Sequence, residues 1–176
     1  MHRAIRAVSV LLTIVAVAYY VYRSQLTPEQ EELTKYVEVA VPRLQTTEAR
    51  IDAQLRRLTQ APGLAAAPAR ALLIDEIIPE LLALRAQVSE RKWQTGTVKQ
   101  LVQRYDEVVL AQIEACRTAV RVIDDPTLDT KTAMARVRDA FAHASELRAA
   151  WKAQLAQSCR VNGLQTGTPK TRGAGP

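Results

Sequence analysis

The chain has 176 residues, of which 48% are hydrophobic and 24% charged, with 6 Gly and 8 Pro. This composition excludes wholesale disorder and any fibrous repeat, and the length suits one domain, or one domain plus a targeting segment. The formal net charge of +6 is concentrated at the ends: residues 1–23 hold Arg3, Arg6 and Arg23 with no acid, and residues 160–176 hold Arg160, Lys170 and Arg172 with no acid. The 18 basic and 18 acidic residues of the stretch between them cancel and alternate along it, as on a solvated helix surface. A nucleic-acid binder gathers its basic residues on one folded face, so nucleic acid is not an expected partner.

The first element is an apolar run. Ala7 to Tyr22 reads AVSVLLTIVAVAYYVY without a charge, preceded by Arg3 and Arg6 and closed by Arg23. Counting Ala4 and Ile5, with Arg6 snorkelling to the interface, residues 4–22 reach spanning length. Tyr19, Tyr20 and Tyr22 at one end resemble an interfacial aromatic belt. The reading is a signal anchor over 1–23. The alternative is a signal peptide cleaved after Ala16-Val17-Ala18, near Ala18. Basic residues before the run and Glu29, Glu31 and Glu32 after it place the N-terminus in the cytoplasm and the body outside. For a bacterium this means a single-pass inner (cytoplasmic) membrane protein with a periplasmic body. Cleavage gives a periplasmic or secreted one.

The body, 24–162, reads as four helices. Thr27-Pro28-Glu29-Gln30 is a helix start with a capping box. Val37, Val41, Leu44, Ile51, Leu55 and Leu58 then form a heptad-like stripe with one polar slot near Glu48. Pro42 is expected to kink or divide this helix, and Pro62-Gly63 to end it. The second segment opens at Pro68 and carries Leu72, Leu73, Ile74, Ile77, Ile78, Leu81, Leu82, Leu84 and Val88. It is the most apolar, so the most buried by expectation, with a kink or division at Pro79. Thr95-Gly96-Thr97 is read as a break. The third helix repeats apolar residues at 3 and 4 from Val98 through Leu101, Tyr105, Val109, Ile113, Cys116 and Val120 to Ile123, and Asp124-Asp125-Pro126 stops it. The fourth runs from about Asp129 or Thr130 to Val161, with Met134, Val137, Phe141, Leu147, Trp151 and Leu155 on one face and Asn162-Gly163 as its C-cap. Residues 163–176 lack periodicity and read as a disordered tail. The fold class is therefore all-α: an N-terminal transmembrane helix followed by an antiparallel four-helix bundle with Pro-kinked first and second helices.

Few residues suggest chemistry. The two histidines, His2 and His143, do not supply a zinc ligand set, and His143-x-x-Glu146 reverses the order a di-iron bundle needs. Cys116 and Cys159 belong to a compartment that permits disulfides. In an antiparallel hairpin turning near residue 127, however, they lie about 30 Å apart along the axis, beyond bridging distance. Cys116 falls on the apolar stripe and reads as a buried thiol, while Cys159, near a helix end, stays free or crosslinks two chains. Glu76 and Glu80 share a face at i, i+4 and read as a solvated edge rather than an acid–base pair. Asp52/Arg56 and Glu31/Lys35 read as ordinary surface ion pairs, and Arg117 with Arg121 as a basic surface step. No Gly-x-Ser-x-Gly, P-loop or dinucleotide pattern occurs. No catalytic, cofactor-binding or metal-ligating residue is assigned, and an enzyme is not expected.

Ile51-Asp52-Ala53-Gln54-Leu55-Arg56-Arg57, in a helix that follows an N-terminal span, resembles a run on the first long helix of the LemA family. The match covers seven residues. The family's following Pro-Asn-Leu-Val segment is absent, and Thr59–Ala67 breaks the helix where the family continues, so no property is carried over. The expected function is that of a membrane-anchored extracytoplasmic bundle acting as a structural or protein-interaction module, with a protein partner or a second copy. The alternative is a soluble bundle that binds a small ligand or a client protein.

Overall fold

The computed structural model describes residues 26–60, 66–125 and 127–164. These are helical, with no strand among the described residues. The apolar run read as a signal anchor and residues 165–176, read as part of a disordered tail, lie outside them. Among the described residues no helix is long and apolar enough to cross a membrane.

Four rods form. The first is α1 (Pro28–Lys35), a π turn (Tyr36–Ala40) and α2 (Val41–Gln60). The second is α3 (Ala66–Ala71), a π turn (Leu72–Ile77) and α4 (Ile78–Glu90). The third is α5 (Gly96–Asp124) and the fourth α6 (Thr130–Val161). Side-chain pairs fix their directions. Arg50 meets Glu80 at 3.1 Å and Gln54 meets Glu76 at 3.4 Å, so the first two rods are antiparallel. Arg70–Asp124 at 2.7 Å and Arg85–Asp106 at 2.8 Å set the second against the third. The first and fourth are tied by Gln30 Nε2 donating to the Asn162 carbonyl at 3.1 Å and by Arg148 reaching Asp52 at 3.2 Å. The bundle is thus up-down-up-down, as the short connections demand.

Neither proline divides its rod. In a regular α-helix the ring of Pro42 would strike the carbonyl four residues back and leave it without a donor. The chain instead widens by a π turn just ahead of each proline. The N–H of Val41 donates to the Tyr36 carbonyl, and the N–H of Ile78 to that of Leu73, both five residues back. Each proline then stands in the first turn of the next α segment, where a missing N–H costs least. The widening also changes which residues face inward. In the second rod Leu73, Ile77, Leu81, Leu84 and Val88 are buried, while Leu82 is 45% exposed. That rod is not the most buried one. The third is, with Val98, Leu101, Tyr105, Val108, Val109, Ile113 and Cys116 all enclosed.

The ends are closed by local chemistry. The Thr27 hydroxyl accepts from the Gln30 N–H at 3.2 Å and Gln30 Oε1 accepts from the Thr27 N–H at 2.9 Å, a complete capping box. The break between the second and third rods covers 91–95, and Gly96, read as part of it, opens α5. Its N-cap, Thr95, makes no side-chain cap bond. Glu32 of the first rod acts instead: its two carboxylate oxygens accept the N–H groups of Gln94 and Thr95, each at 2.6 Å, where a helix N-terminus attracts negative charge. α6 ends in a Schellman motif. Leu164 N–H donates to the Cys159 carbonyl at 2.8 Å and Gly163 N–H to that of Arg160 at 3.1 Å, with Gly163 at φ +69. Leu164 packs against the core from there.

Candidate functional site

The core is not uniform along the bundle. Near Pro28 it is dense: Leu33, Tyr36, Trp93, Val98, Trp151 and Cys159 are buried. Toward the far end, Ile51 is the last enclosed residue of the first rod among those whose side chains are described, while Leu55, Leu58, Ile123, Val137 and Phe141 are only half-buried. The cause is side-chain size. Ala133 and Ala144 are the buried positions of this half of α6, and Ala69 and Ala119 face it from the second and third rods. Small residues let α6 approach α5 closely along its length, and they leave space beside the first rod. The result is an open apolar groove of about 980 Å³, lined from all four rods. Met134, 65% exposed, stands at its mouth. The charged residues in its lining are Asp52, Arg56 and Arg138.

A file of buried polar side chains leads to this groove. Trp93 meets Tyr36 edge-on with ring centroids 5.4 Å apart, and Tyr105 packs against Trp151 at 4.8 Å. The Tyr36 hydroxyl, the Tyr105 hydroxyl, Trp151 Nε1 and Glu48 Oε1 are buried without a hydrogen-bond partner among the described residues. Burial pushes both tyrosines far above their usual range, helped at Tyr105 by the negative charge of Glu48 beside it. Glu48 occupies the polar slot of the first rod's stripe and is 7% exposed. It faces Arg148 of α6, with Nε to Oε1 at 3.5 Å. Arg148 Nη1 donates to both oxygens of Asp52, at 3.2 and 3.4 Å. Asp52 closes the file and begins the groove.

Several sequence readings change here. Asp52 is not an ordinary surface partner of Arg56: its carboxylate is taken by Arg148, while Arg56 Nε donates to the Asp52 backbone carbonyl at 3.3 Å. Glu76 and Glu80 are cross-rod partners of Gln54 and Arg50, the edge that was expected. Met134, Val137 and Phe141, read as lying on one face of the fourth helix, line the groove, and Phe141 also packs against the core. Glu31 and Lys35 form their i, i+4 pair at 2.8 Å. Arg121 pairs with Glu114 on the surface of α5, and His143 is exposed. Both cysteines are free and buried. Burial raises the Cys116 thiol to about 12 and also raises Cys159, which the Schellman turn covers. A surface position from which Cys159 crosslinks two chains is therefore not what the fold provides.

Arg148 is the residue the sequence reading missed. Its signal was available: it lies at i+4 from Ala144 and i−3 from Trp151, both inward, so a charge there demands a buried partner. Among the described residues no group of His, Cys, Asp and Glu is arranged to hold a metal ion. Comparison with protein-family models, with curated proteins and with solved structures gives no match, and the meaning of the site rests on its own geometry.

Proposed function

We propose that the chain is a binding module whose working part is the groove at the far end of the bundle. Residues 4–22 hold it in the inner membrane, with the N-terminus in the cytoplasm and the body in the periplasm. Leu26 and Asn162 are at the same end of the bundle, so the groove points away from that anchor. The observation that carries the reading is the apolar lining of the open space of about 980 Å³ beyond Asp52, whereas the hollow of about 750 Å³ beside Tyr36 and Trp93 is rimmed by Arg43, Thr46, Thr47, Gln87, Glu90 and Arg91. Exposed apolar hollows of this size mark sites that receive another molecule. Catalysis is not part of the proposal.

Two experiments test it. Carbonate-washed membranes and an intact mass of the native protein test the anchor. A soluble species beginning at Tyr19 replaces the tether with a diffusing bundle. For the groove, a photo-crosslinking amino acid at Met134 is compared in the native envelope with one at exposed Leu82. The expected result is an adduct from Met134 that disappears when Val137→Trp fills the groove. Equal adducts from both positions, or none, overturn the reading.

A further inference from the structure

We propose that the polar file contains an internal water-binding site between the Tyr105 hydroxyl, Glu48 Oε1 and Arg148 Nε. It is independent of what the groove receives. Three rods deliver these atoms to one place: Glu48 comes from the first, Tyr105 from the third and Arg148 from the fourth. Glu48 is 7% exposed and Tyr105 is fully enclosed. All three atoms are buried without a hydrogen-bond partner among the described residues. They are nevertheless neighbours. Arg148 Nε stands 3.5 Å from Glu48 Oε1, and the Tyr105 hydroxyl lies beside Glu48 and within range of the Arg148 charge. Orphaned polar atoms of this kind are costly, and protein interiors satisfy them with ordered water that makes about three hydrogen bonds.

Room comes from the seam. The backbone of α2 scarcely approaches that of α6, whereas α5 and α6 pack closely. At this level the first and fourth rods are joined by long side chains reaching across, with space left between their tips. Charge selects the guest. Glu48 and Asp52 place two carboxylates around the single guanidinium of Arg148, which disfavours an anion. The guanidinium in turn repels a metal ion, and among the described residues no cluster of metal-ligating side chains is present. The guest has to accept from the Arg148 Nε–H and donate to Glu48 Oε1. Water does both and keeps capacity for the Tyr105 hydroxyl. Through Arg148 the site is linked to Asp52 at the inner end of the groove.

The test is a crystal structure of the full-length chain, grown in a lipid phase and refined finely enough to place waters, with a second crystal soaked in bromide. The expected result is one density peak making bonds of about 2.6–3.2 Å to all three atoms, without anomalous signal from bromide. Glu48→Leu combined with Arg148→Met, which removes two of the three partners together, should lose the peak. Direct hydrogen bonds among the three side chains with nothing between them overturn the proposal. Bromide in the site replaces water with an anion, and contacts of about 2.4 Å replace it with a metal cation; either result overturns it. A peak that survives the double variant overturns the assignment of its partners.

Discussion

Glu48 and Arg148 face each other across the seam between the first and fourth rods, 3.5 Å apart, with 9% and 19% of their side chains exposed. The gap is too long for a hydrogen bond, and Arg148 spends its good geometry on Asp52 instead. Such a pair contributes little net stability, yet half of it is costly to keep. Arg148→Met should destabilise the chain by about 3–5 kcal/mol, because Glu48 is left charged and unpaired in the core. Glu48→Leu combined with Arg148→Met should recover most of that loss. Urea unfolding of the two single variants and the double one, followed by circular dichroism, gives the coupling. Additive losses would mean that the two side chains do not depend on each other.

Alkaline pH should unfold the bundle early. Cys116 moves from 9.0 in the unfolded chain to about 12 in the bundle, and Tyr36 and Tyr105 move upward from 10.0. Raised acids bind more protons in the folded state, so their contribution is complete below pH 9 and is lost as pH rises through the folded values. Stability should fall from about pH 9 upward, and Cys116→Ala should reduce the slope between pH 9 and 12. In the native state neither thiol should react with a thiol reagent at pH 8, and both should react in denaturant.

Acid acts on a different contact. Partial burial works to raise Glu32, but the bonds from Thr95 and Gln94 together with Lys99 outweigh it and hold the carboxyl below its usual 4.5. A lowered acid contributes stability above 4.5 that disappears as pH falls through the folded value. Glu32→Gln should flatten the acid limb of a melting-temperature profile below pH 4.5 and shift its neutral plateau downward. A variant whose acid limb matches the parent would show that the start of α5 is held some other way.

Gly163 stands at φ +69 with open space around it, so a Cβ meets no atom and the cost of adding one is purely that of backbone conformation. Gly163→Ala should destabilise by about 1 kcal/mol, and Gly163→Asn by less, since Asn tolerates this region. Thermal melts read both.

The rods themselves were legible, because spacing of 3 and 4 together with Thr27, Gly163 and Asp129 marks helices and their ends without tertiary information. The Asp129 side chain indeed accepts from the Thr132 N–H at 2.9 Å. The polar slot at Glu48 was visible as a break in an apolar stripe. What faced it was not, since Arg148 lies 100 residues away in a helix that carries other arginines. The π turns escaped for a related reason. Periodicity assumes a constant turn, and a single wide turn before Pro79 decides whether Leu81 or Leu82 faces inward. The groove was unreadable for a further reason: Val137 and Phe141 are apolar whether they pack against a neighbour or against space. Only the alanines opposite them decide which.

Gln30 and Asn162 meet at one end of the bundle, 3.1 Å apart. Force applied between the two ends of the body is therefore applied at neighbouring points. It peels the first rod from the fourth contact by contact, beginning at Gln30 and Leu164, rather than loading all their contacts at once. Under tension the Gln30–Asn162 end should yield first and the groove last, so a single-molecule pull should open the bundle at low force in stages, with Arg148 and its two carboxylates resisting only after that end has parted.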